Sequence, residues 1–251
     1  MLDKIISTKK SEVEKLVLPP TQDVSRKSLF QALFNCNREI GLIAEVKKAS
    51  PSKGIIRDNF HPVEIALAYE NAGADAISVL TDEHFFQGHS DYLTAVKKNV
   101  NIPVLRKDFI INKKQIEESV RIGADAILLI GEALEPTELY EFYNHAYAQG
   151  LECLVEVHSY ETLVKVLNVF TPQILGINNR NLLTFETAIT NTRDLASYVP
   201  SGCLLISESG IHTNKDINEV RNFGASGVLV GEAFMRANEP GEGIRRLFGE
   251  V

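Results

Sequence analysis

Apolar runs of strand length alternate with amphipathic segments along the whole chain. Three of these runs stand at the end of a repeated sequence phrase. In this phrase a helical pattern stops at a glycine, and a turn of small residues leads into Ile, Val and Leu. The phrase reads NAGADAISVL at 71–80, RIGADAILLI at 121–130 and, more loosely, NFGASGVLVG at 222–231. Glycine suits the left-handed conformation that closes many helices. Each phrase therefore predicts a helix that leads directly into a buried strand.

Five more apolar runs complete a set of eight predicted strands. They are GLIAEV (41–46), PVLRKD (103–108), ECLVEV (152–157), QILGIN (173–178) and CLLISE (203–208). The amphipathic segments between them predict helices, two of which carry start signals at Pro62 and Ser159. Nearly continuous apolar strands that alternate with helices indicate a parallel sheet covered by helices.

Eight such units predict an α/β fold, a (β/α)8 TIM barrel with an extra N-terminal helical segment. The competitor is an open doubly wound sheet, but no G-x-G-x-x-G follows the first strand, and polar residues end nearly all strands instead of marking one switch point. No linker composition marks a domain boundary, so we expect a single domain over 1–251. Residues 41–251 would form the barrel, and the helical extension 1–40 would pack across its amino end or side.

Charge and composition exclude several classes of protein. The formal net charge of −7 supplies no general attraction for nucleic acid or for an anionic membrane. No apolar stretch approaches the roughly 18 residues of a spanning helix, and charges interrupt the start of the chain where a signal peptide is apolar. The three cysteines lie far apart without metal-ligand spacing. We expect a cytoplasmic protein with no nucleic-acid or membrane partner and no metal.

Charged residues at the carboxyl ends of the strands are the candidate chemistry, because active sites of this fold lie there. Side chains alternate along a strand, so Glu45 and Lys47 share the face that points into the barrel mouth. Further polar residues follow at Lys107, Glu156, Asn178, Arg180 and Glu208. Lys and Glu are seldom buried unless paired. The set indicates either an acid–base site or an ion-pair network that closes the top of the barrel.

Glycine-containing turns end the last two strands, at Ser209-Gly210 and Gly231-Glu232. In many barrels a phosphate binds to backbone N–H groups of these two loops. Either glycine alone is compatible with an ordinary turn, whereas the two together predict a small phosphorylated ligand.

The connection from Lys48 to His61 is longer than a usual βα loop and predicts a shaped, mobile lid. Its hydroxyls at Ser50 and Ser52 are candidates for contact with an anion. Phe86 and Phe109, which follow the second and third strands, are candidates for an apolar wall beside a flat ring, although core packing is the ordinary role of a single Phe.

Six segments of the chain resemble indole-3-glycerol phosphate synthases of tryptophan biosynthesis. They are IAEVKKASPSKG (43–54), SVLTDEHFFQG (78–88), VLRKDFI (104–110), GINNRNL (176–182), SESGI (207–211) and LVGEAFM (229–235). The resemblance covers nearly the whole chain. It implies a cofactor-free and metal-free carboxy-lyase that closes, decarboxylates and dehydrates 1-(2-carboxyphenylamino)-1-deoxyribulose 5-phosphate to indole-3-glycerol phosphate.

The resemblance also implies roles for individual residues. Lys107 would be the general acid of ring closure and Glu156 the base of the dehydration, while Lys47, paired with Glu45, would hold the substrate carboxylate or share the acid role. The implied substrate contacts are Ser50, Ser52, Phe86, Phe109, Asn178, Arg180, Glu208 and Ser209, and the implied phosphate contacts are Gly210, Gly231 and Glu232. Some family members have Ser at the position of Glu232. Since a carboxylate side chain would repel a phosphate, contact at this position would use the backbone N–H.

Two rival functions remain at this stage. One is a Schiff-base aldolase or sugar-phosphate isomerase on the same barrel, with Lys107 as a nucleophile. The other is a phosphate-binding regulatory module that has lost turnover, although such a module has no need of the costly charges at Glu45, Lys47, Lys107 and Glu156. Since the chain ends soon after the eighth helix, we expect a monofunctional enzyme without a fused second barrel, and a monomer.

Overall fold

The computed structural model describes residues 1–181 and 186–250, and in them eight parallel strands close into a barrel. Each strand pairs with the next along the chain, and the last pairs with the first. The strands are β1 (Gly41–Val46), β2 (Ala76–Leu80), β3 (Val104–Lys107), β4 (Ala126–Ile130), β5 (Glu152–Val157), β6 (Ile174–Asn178), β7 (Leu204–Glu208) and β8 (Gly227–Val230). The predicted fold class and all eight predicted strands are confirmed.

Helices precede the barrel and follow its strands. They are α1 (Leu2–Lys15), α2 (Leu29–Phe34), α3 (Pro62–Asn71), α4 (Glu83–Phe86), α5 (Ser90–Asn99), α6 (Lys113–Ile122), α7 (Pro136–Ala148), α8 (Tyr160–Leu167), α9 (Thr190–Ala196), α10 (Asn214–Asn222), α11 (Glu232–Met235) and α12 (Pro240–Leu247). The glycines of the repeated phrase, Gly73, Gly123 and Gly224, have φ of +82°, +91° and +103°. Both start signals are confirmed: Pro62 opens α3, and the Ser159 side chain accepts a hydrogen bond from Thr162 N at the start of α8.

The strands bury apolar side chains on both faces, as a parallel sheet between helices requires. In β1, Leu42, Ala44 and Val46 pack against the helices, while Ile43 faces the barrel interior. The interior cluster comes from every strand: Ile43, Ala76, Leu105, Ala126, Leu128, Ile130, Leu154, Ile174, Leu204, Ile206 and Leu229. This alternation aims Glu45 into the barrel, as predicted.

Helix α2 closes the amino end of the barrel. Its Leu29 and Leu33 are fully buried and belong to the interior cluster. Gly41, the first residue of β1, allows this close approach, because a Cβ there would lie only 3.0 Å from Leu33 Cδ2. The prediction that the extension packs across the amino end is confirmed for α2.

Helix α1 lies at the opposite, carboxyl end of the barrel, so the predicted placement is wrong for this helix. Lys9 Nζ is 2.8 Å from Asp82 Oδ2 and 3.0 Å from Asp108 Oδ1, just beyond β2 and β3. The chain then returns to the amino end alongside α6, where Gln22 N donates to Arg121 O. These ion pairs join α1 to residues far away in sequence, and the amphipathic pattern of α1 does not reveal them.

The remaining composition-based expectations concern membranes and thiols. None of the helices in the described ranges is both long and apolar enough to cross a membrane. Cys36, Cys153 and Cys203 are free thiols, of which Cys153 is buried and the other two are partly exposed. Burial raises the pKa of all three thiols.

Candidate active site

Four charged residues form one layer inside the carboxyl end of the barrel. Because the strands are tilted, a residue at a given height along the barrel axis lies level with the residue one position beyond its paired partner on the next strand. With the observed strand register, this shift places four residues at the same height: Glu45 of β1, Lys107 of β3, Glu156 of β5 and Glu208 of β7. The next step around the barrel leads back to Glu45. In such barrels each interior layer holds four side chains from alternate strands. Here one of these layers is charged instead of apolar.

A cavity of about 440 Å³ opens above this layer. It is lined by all fifteen residues that the sequence singled out, namely Glu45, Lys47, Ser50, Ser52, Phe86, Lys107, Phe109, Glu156, Asn178, Arg180, Glu208, Ser209, Gly210, Gly231 and Glu232. These residues come from seven of the eight strands or from the loops that follow them. The structure therefore brings the predicted set into one place, and the individual roles remain predictions.

Lys107 lies at the centre of the charged layer. Its Nζ is 3.3 Å from Glu208 Oε2, 3.4 Å from Glu156 Oε2 and 3.7 Å from Glu45 Oε1. Its side chain is 14% exposed, enough to reach a molecule in the cavity. Lys47 Nζ pairs with the other oxygen of Glu45, Oε2. Two lysines and three carboxyl groups thus form a connected network.

The protonation states in this layer follow from burial and neighbouring charge. Burial opposes the charge on Lys107, yet the neighbouring carboxyl groups of Glu156, Glu208 and Glu45 outweigh it and raise the pKa of this lysine, so Nζ is an ammonium. Burial also opposes charge on Glu156, where the cations of Lys107 and His158 prevail and lower the pKa to about 2. Burial and the nearby Glu156 charge together raise the pKa of Glu208 well above its usual range.

Together with Lys47, the layer is therefore close to neutral. Attraction to Lys47 and Lys107 overcomes burial and keeps the pKa of Glu45 below its usual value. Glu45 and Glu156 are then ionised opposite two ammonium groups, while Glu208 keeps its proton and hydrogen-bonds to Glu156. Like charges at such short range cannot all ionise. An acid, a base and a neutral carboxyl group are thus available side by side.

Two glycines make room for these carboxyl groups. A Cβ at Gly176 of β6 would overlap Glu208 Oε1 and lie 3.2 Å from its Cδ. A Cβ at Gly231, just after β8, would lie 2.5 Å from Glu45 Oε2 and 3.0 Å from Glu45 Cβ. Neither site admits a side chain without moving a neighbouring carboxyl group. Both glycines therefore help to set the geometry of the charged layer.

The predicted lid begins with a small β-hairpin, in which Ala49–Ser50 pairs with Gly54–Ile55. Gly54 has φ of +64°, the left-handed value that a tight turn needs. Arg57, at the far end, donates to the carbonyl oxygens of Met235 and Ala237 after β8. The shaped turn is confirmed, and the hairpin holds Ser50 and Ser52 at the cavity wall.

Apolar and aromatic side chains line another part of the cavity. The ring centroids of Phe86 and Phe109 are 6.0 Å apart with an interplanar angle of 36°, and both rings face the cavity. Leu80, Leu128, Ile130 and Leu229 also line it, together with Met1, Leu2 and Ile5 of the α1 segment. This composition suits a flat, uncharged ring beside the charged layer.

The predicted phosphate end lies across the mouths of β7 and β8. Ser209 and Gly210 both have positive φ, +67° and +76°, and Asn179 Nδ2 holds this turn by donating to Ser209 O at 3.0 Å. Gly231 precedes α11, and the Glu232 side chain turns back to Arg236 Nε at 2.9 Å. The Glu232 carboxylate thus has its own cation, which is consistent with phosphate contact through the backbone N–H.

Sequence reasoning missed His158 and its partner Glu132. His158 lines the cavity, and its ring lies between Glu156 and Glu132. A signal was present, since His158 stands two residues after Glu156 and so shares its face of the chain. Sequence reasoning also missed the contribution of α1 to the cavity wall. Leu182, the last residue of the GINNRNL segment, lies outside the described residues.

The charged groups of the cavity are arranged as ion pairs and not as a metal cage. Within 1–181 and 186–250, no three His, Cys, Asp or Glu side chains converge as ligands of a metal ion. Glu45, Glu156 and Glu208 do converge, but on the ammonium of Lys107.

The comparisons with known proteins agree with this geometry. The family model of indole-3-glycerol phosphate synthase matches residues 2–247. The indole-3-glycerol phosphate synthase of Priestia megaterium is 60% identical over 250 residues, covering 100% of this chain and 98% of the relative. The one of Geobacillus sp. strain WCH70 is 61% identical over 252 residues, with the same coverage.

Solved structures with little sequence identity share the fold. A 3-hexulose-6-phosphate synthase superposes with a TM-score of 0.66 at 15% identity, over 84% of this chain and 100% of that one. An N-acetylmannosamine-6-phosphate 2-epimerase from Clostridium perfringens gives 0.64 at 12%, over 92% and 100%. These likenesses show the barrel fold alone. The family match and the relatives at about 60% identity establish more: the chain belongs to the indole-3-glycerol phosphate synthase family.

Proposed function

We propose that this protein converts 1-(2-carboxyphenylamino)-1-deoxyribulose 5-phosphate into indole-3-glycerol phosphate, carbon dioxide and water, and that the charged layer performs the chemistry. One observation carries the assignment of roles: Lys107 Nζ stands among three carboxyl groups in a cavity that has an aromatic wall and a glycine-lined mouth. The substrate has a matching ring, carboxylate and phosphate. All fifteen predicted residues come from this chain, so the proposed site needs no residue from a second subunit.

Ring closure needs an acid at the ribulose carbonyl. As the aromatic carbon that bears the carboxylate attacks the carbonyl carbon, the carbonyl oxygen takes up negative charge and must be protonated. The raised pKa of Lys107 supplies an ammonium at that point, and positioned acids of this kind contribute about 10²- to 10⁴-fold. The adjacent carboxyl groups can return a proton to Lys107 afterwards.

Decarboxylation and dehydration complete the reaction. Loss of carbon dioxide from the attacking ring carbon restores the aromatic ring, and Lys47, held by Glu45, is placed to orient the departing carboxylate. The new hydroxyl then leaves as water while the ring methylene gives up a proton. Glu156 is the base for that proton, because its lowered pKa keeps it ionised.

The electrostatics of Lys107 disfavour the Schiff-base rival. A nucleophilic lysine needs a neutral amine, which enzymes obtain in apolar pockets or beside other cations. Here three carboxyl groups surround Nζ and stabilise its charged form. Borohydride reduction in the presence of substrate therefore leaves no covalent adduct on Lys107 if the proposal holds, and traps one if the rival is right.

The direct test is turnover by the purified protein. Indole-3-glycerol phosphate is fluorescent, so its formation from the carboxyphenylamino substrate can be followed continuously, with release of carbon dioxide measured in parallel. We expect equal amounts of the two products without added metal or cofactor. Binding of substrate without turnover would support a regulatory module instead.

A further inference from the structure

A second set of contacts extends outward from Glu156, on the side away from Lys107. His158 Nε2 is 3.5 Å from Glu156 Oε1, while Lys107 Nζ approaches Oε2. On the other side of the imidazole, Nδ1 is 3.0 Å from Glu132 Oε2. Glu156 thus lies between two nitrogen groups, one at each carboxylate oxygen.

Glu132 holds His158 at two points. Its Oε1 accepts the backbone N–H of His158 at 2.8 Å, and its Oε2 is the partner of Nδ1. Glu132 follows β4 and His158 follows β5, so the carboxylate ties together two neighbouring loops. Asn191 secures the same loop by donating to His158 O at 3.1 Å. The imidazole therefore has a defined orientation toward Glu156.

This orientation determines what His158 can do. A carboxylate at Nδ1 favours a proton on that nitrogen. Nε2 then presents a lone pair to Glu156 when the ring is neutral and an N–H when the ring is charged. Only the imidazolium can donate to the Glu156 carboxylate, because a lone pair would repel it. The interaction is therefore attractive in one protonation state and repulsive in the other.

The charges around His158 favour the attractive state. Glu132 and Glu156 face the ring with negative charge, and Lys107 opposes them from beyond Glu156. Burial of the imidazole, whose side chain is only 9% exposed, works against its charge. The carboxylates prevail, and the pKa of His158 is raised above its usual value.

We propose that His158, oriented by Glu132, is a positioning residue for the base Glu156, and that its imidazolium holds the carboxylate in place and ionised. The inference rests on the proposed role of Glu156 in dehydration and adds a residue to it. Lys107 fixes one oxygen of the base, and His158 fixes the other. The device couples turnover to the protonation of a side chain that itself touches no reacting atom.

The test compares His158→Gln and Glu132→Gln with wild type across the pH range. His145→Gln, on α7 and outside the cavity, is the matched control. In His158→Gln we expect kcat to fall about 10- to 100-fold, as for outer partners of an active-site histidine, with little change in KM. Loss of the imidazolium raises the pKa of Glu156, so the acidic limb of kcat moves to higher pH by about one unit or more.

The alkaline limb of the kcat–pH profile distinguishes a positioning role of His158 from a role in packing alone. Wild-type kcat should fall as pH rises through the pKa of His158, and His158→Gln should lack that step. Glu132→Gln should move the step to lower pH, since the ring loses a stabilising negative charge. A kcat–pH profile that keeps its shape in both variants, like that of His145→Gln, would overturn the proposal.

NMR titration of Glu156, with ¹³C-labelled glutamate and no substrate, tests the interaction without relying on turnover. The proposal predicts a higher pKa of Glu156 in His158→Gln than in wild type, and equal values would refute it. If this shift appears but the wild-type enzyme forms no indole-3-glycerol phosphate, then the proposed function is wrong while the His158–Glu156 interaction stands.

Discussion

Gly176→Ala tests whether the charged layer works through its geometry. The added Cβ would overlap Glu208 Oε1 and would also lie 3.3 Å from Leu154 Cδ1. A shift of Leu154 would not remove the overlap with Glu208. Glu208 must rotate away, and its 3.3 Å contact with Lys107 Nζ is then lost. The substitution displaces a central carboxyl group without removing any ionisable group.

Two magnitudes follow from this overlap. Overpacking a buried site costs about 1–3 kcal/mol, which for a domain of this size lowers Tm by about 2 to 12 °C. Displacement of a catalytic group by about 1 Å can cost on the order of 10²-fold in rate. We therefore expect a folded Gly176→Ala variant with a modestly lower Tm and a kcat about 10²-fold below wild type.

Gly227→Ala is the matched control, because it adds the same methyl group to the same type of strand at the opposite end of the barrel. Its Cβ would lie 2.7 Å from Ile206 Cδ1, far from the charged layer. Steady-state kinetics by product fluorescence and thermal unfolding would be measured on both variants. We expect similar losses of Tm, with kcat preserved only in Gly227→Ala. Equal kcat in the two variants would refute the geometric argument.

Two further predictions concern the anchoring of α1 and the phosphate end. Lys9→Met removes the cation between Asp82 and Asp108, and because breaking a buried pair costs about 3–5 kcal/mol, Tm should fall by about 6 to 20 °C in differential scanning calorimetry. An unchanged Tm would show that α1 is held by its apolar contacts instead. Inorganic phosphate should raise KM without changing kcat, because Gly210 and Gly231 are expected to bind the substrate phosphate; purely noncompetitive inhibition would place the anion elsewhere.

The fold was predictable because its signals are local. Each repeated phrase places a left-handed glycine three positions before the start of a strand, and alternation along β1 aims Glu45 inward while Ala44 faces the helices. Such patterns involve neighbours in sequence, so they require no knowledge of tertiary packing. The same alternation, together with the position of charged residues at strand ends, was sufficient to identify the charged residues Glu45, Lys107, Glu156 and Glu208 of the cavity.

The parts that escaped prediction depend on contacts between distant residues. Lys9 draws α1 to the catalytic end through two aspartates that lie more than seventy positions away. Glu132 selects the orientation of His158 from a different loop, and Gly176 is significant only because Glu208 of the next strand projects over it. None of these features has a sequence period or spacing that reveals its partner.

Lys107→Ala gives the most direct test of the central claim, that the ammonium within three carboxyl groups is the acid of ring closure. We expect kcat to fall by at least about 10²-fold while thermal unfolding remains cooperative. Lys113→Ala removes a lysine that is half exposed and lies outside the cavity, and it should keep wild-type turnover. Turnover near wild type in Lys107→Ala would contradict the account and remove this lysine from the mechanism.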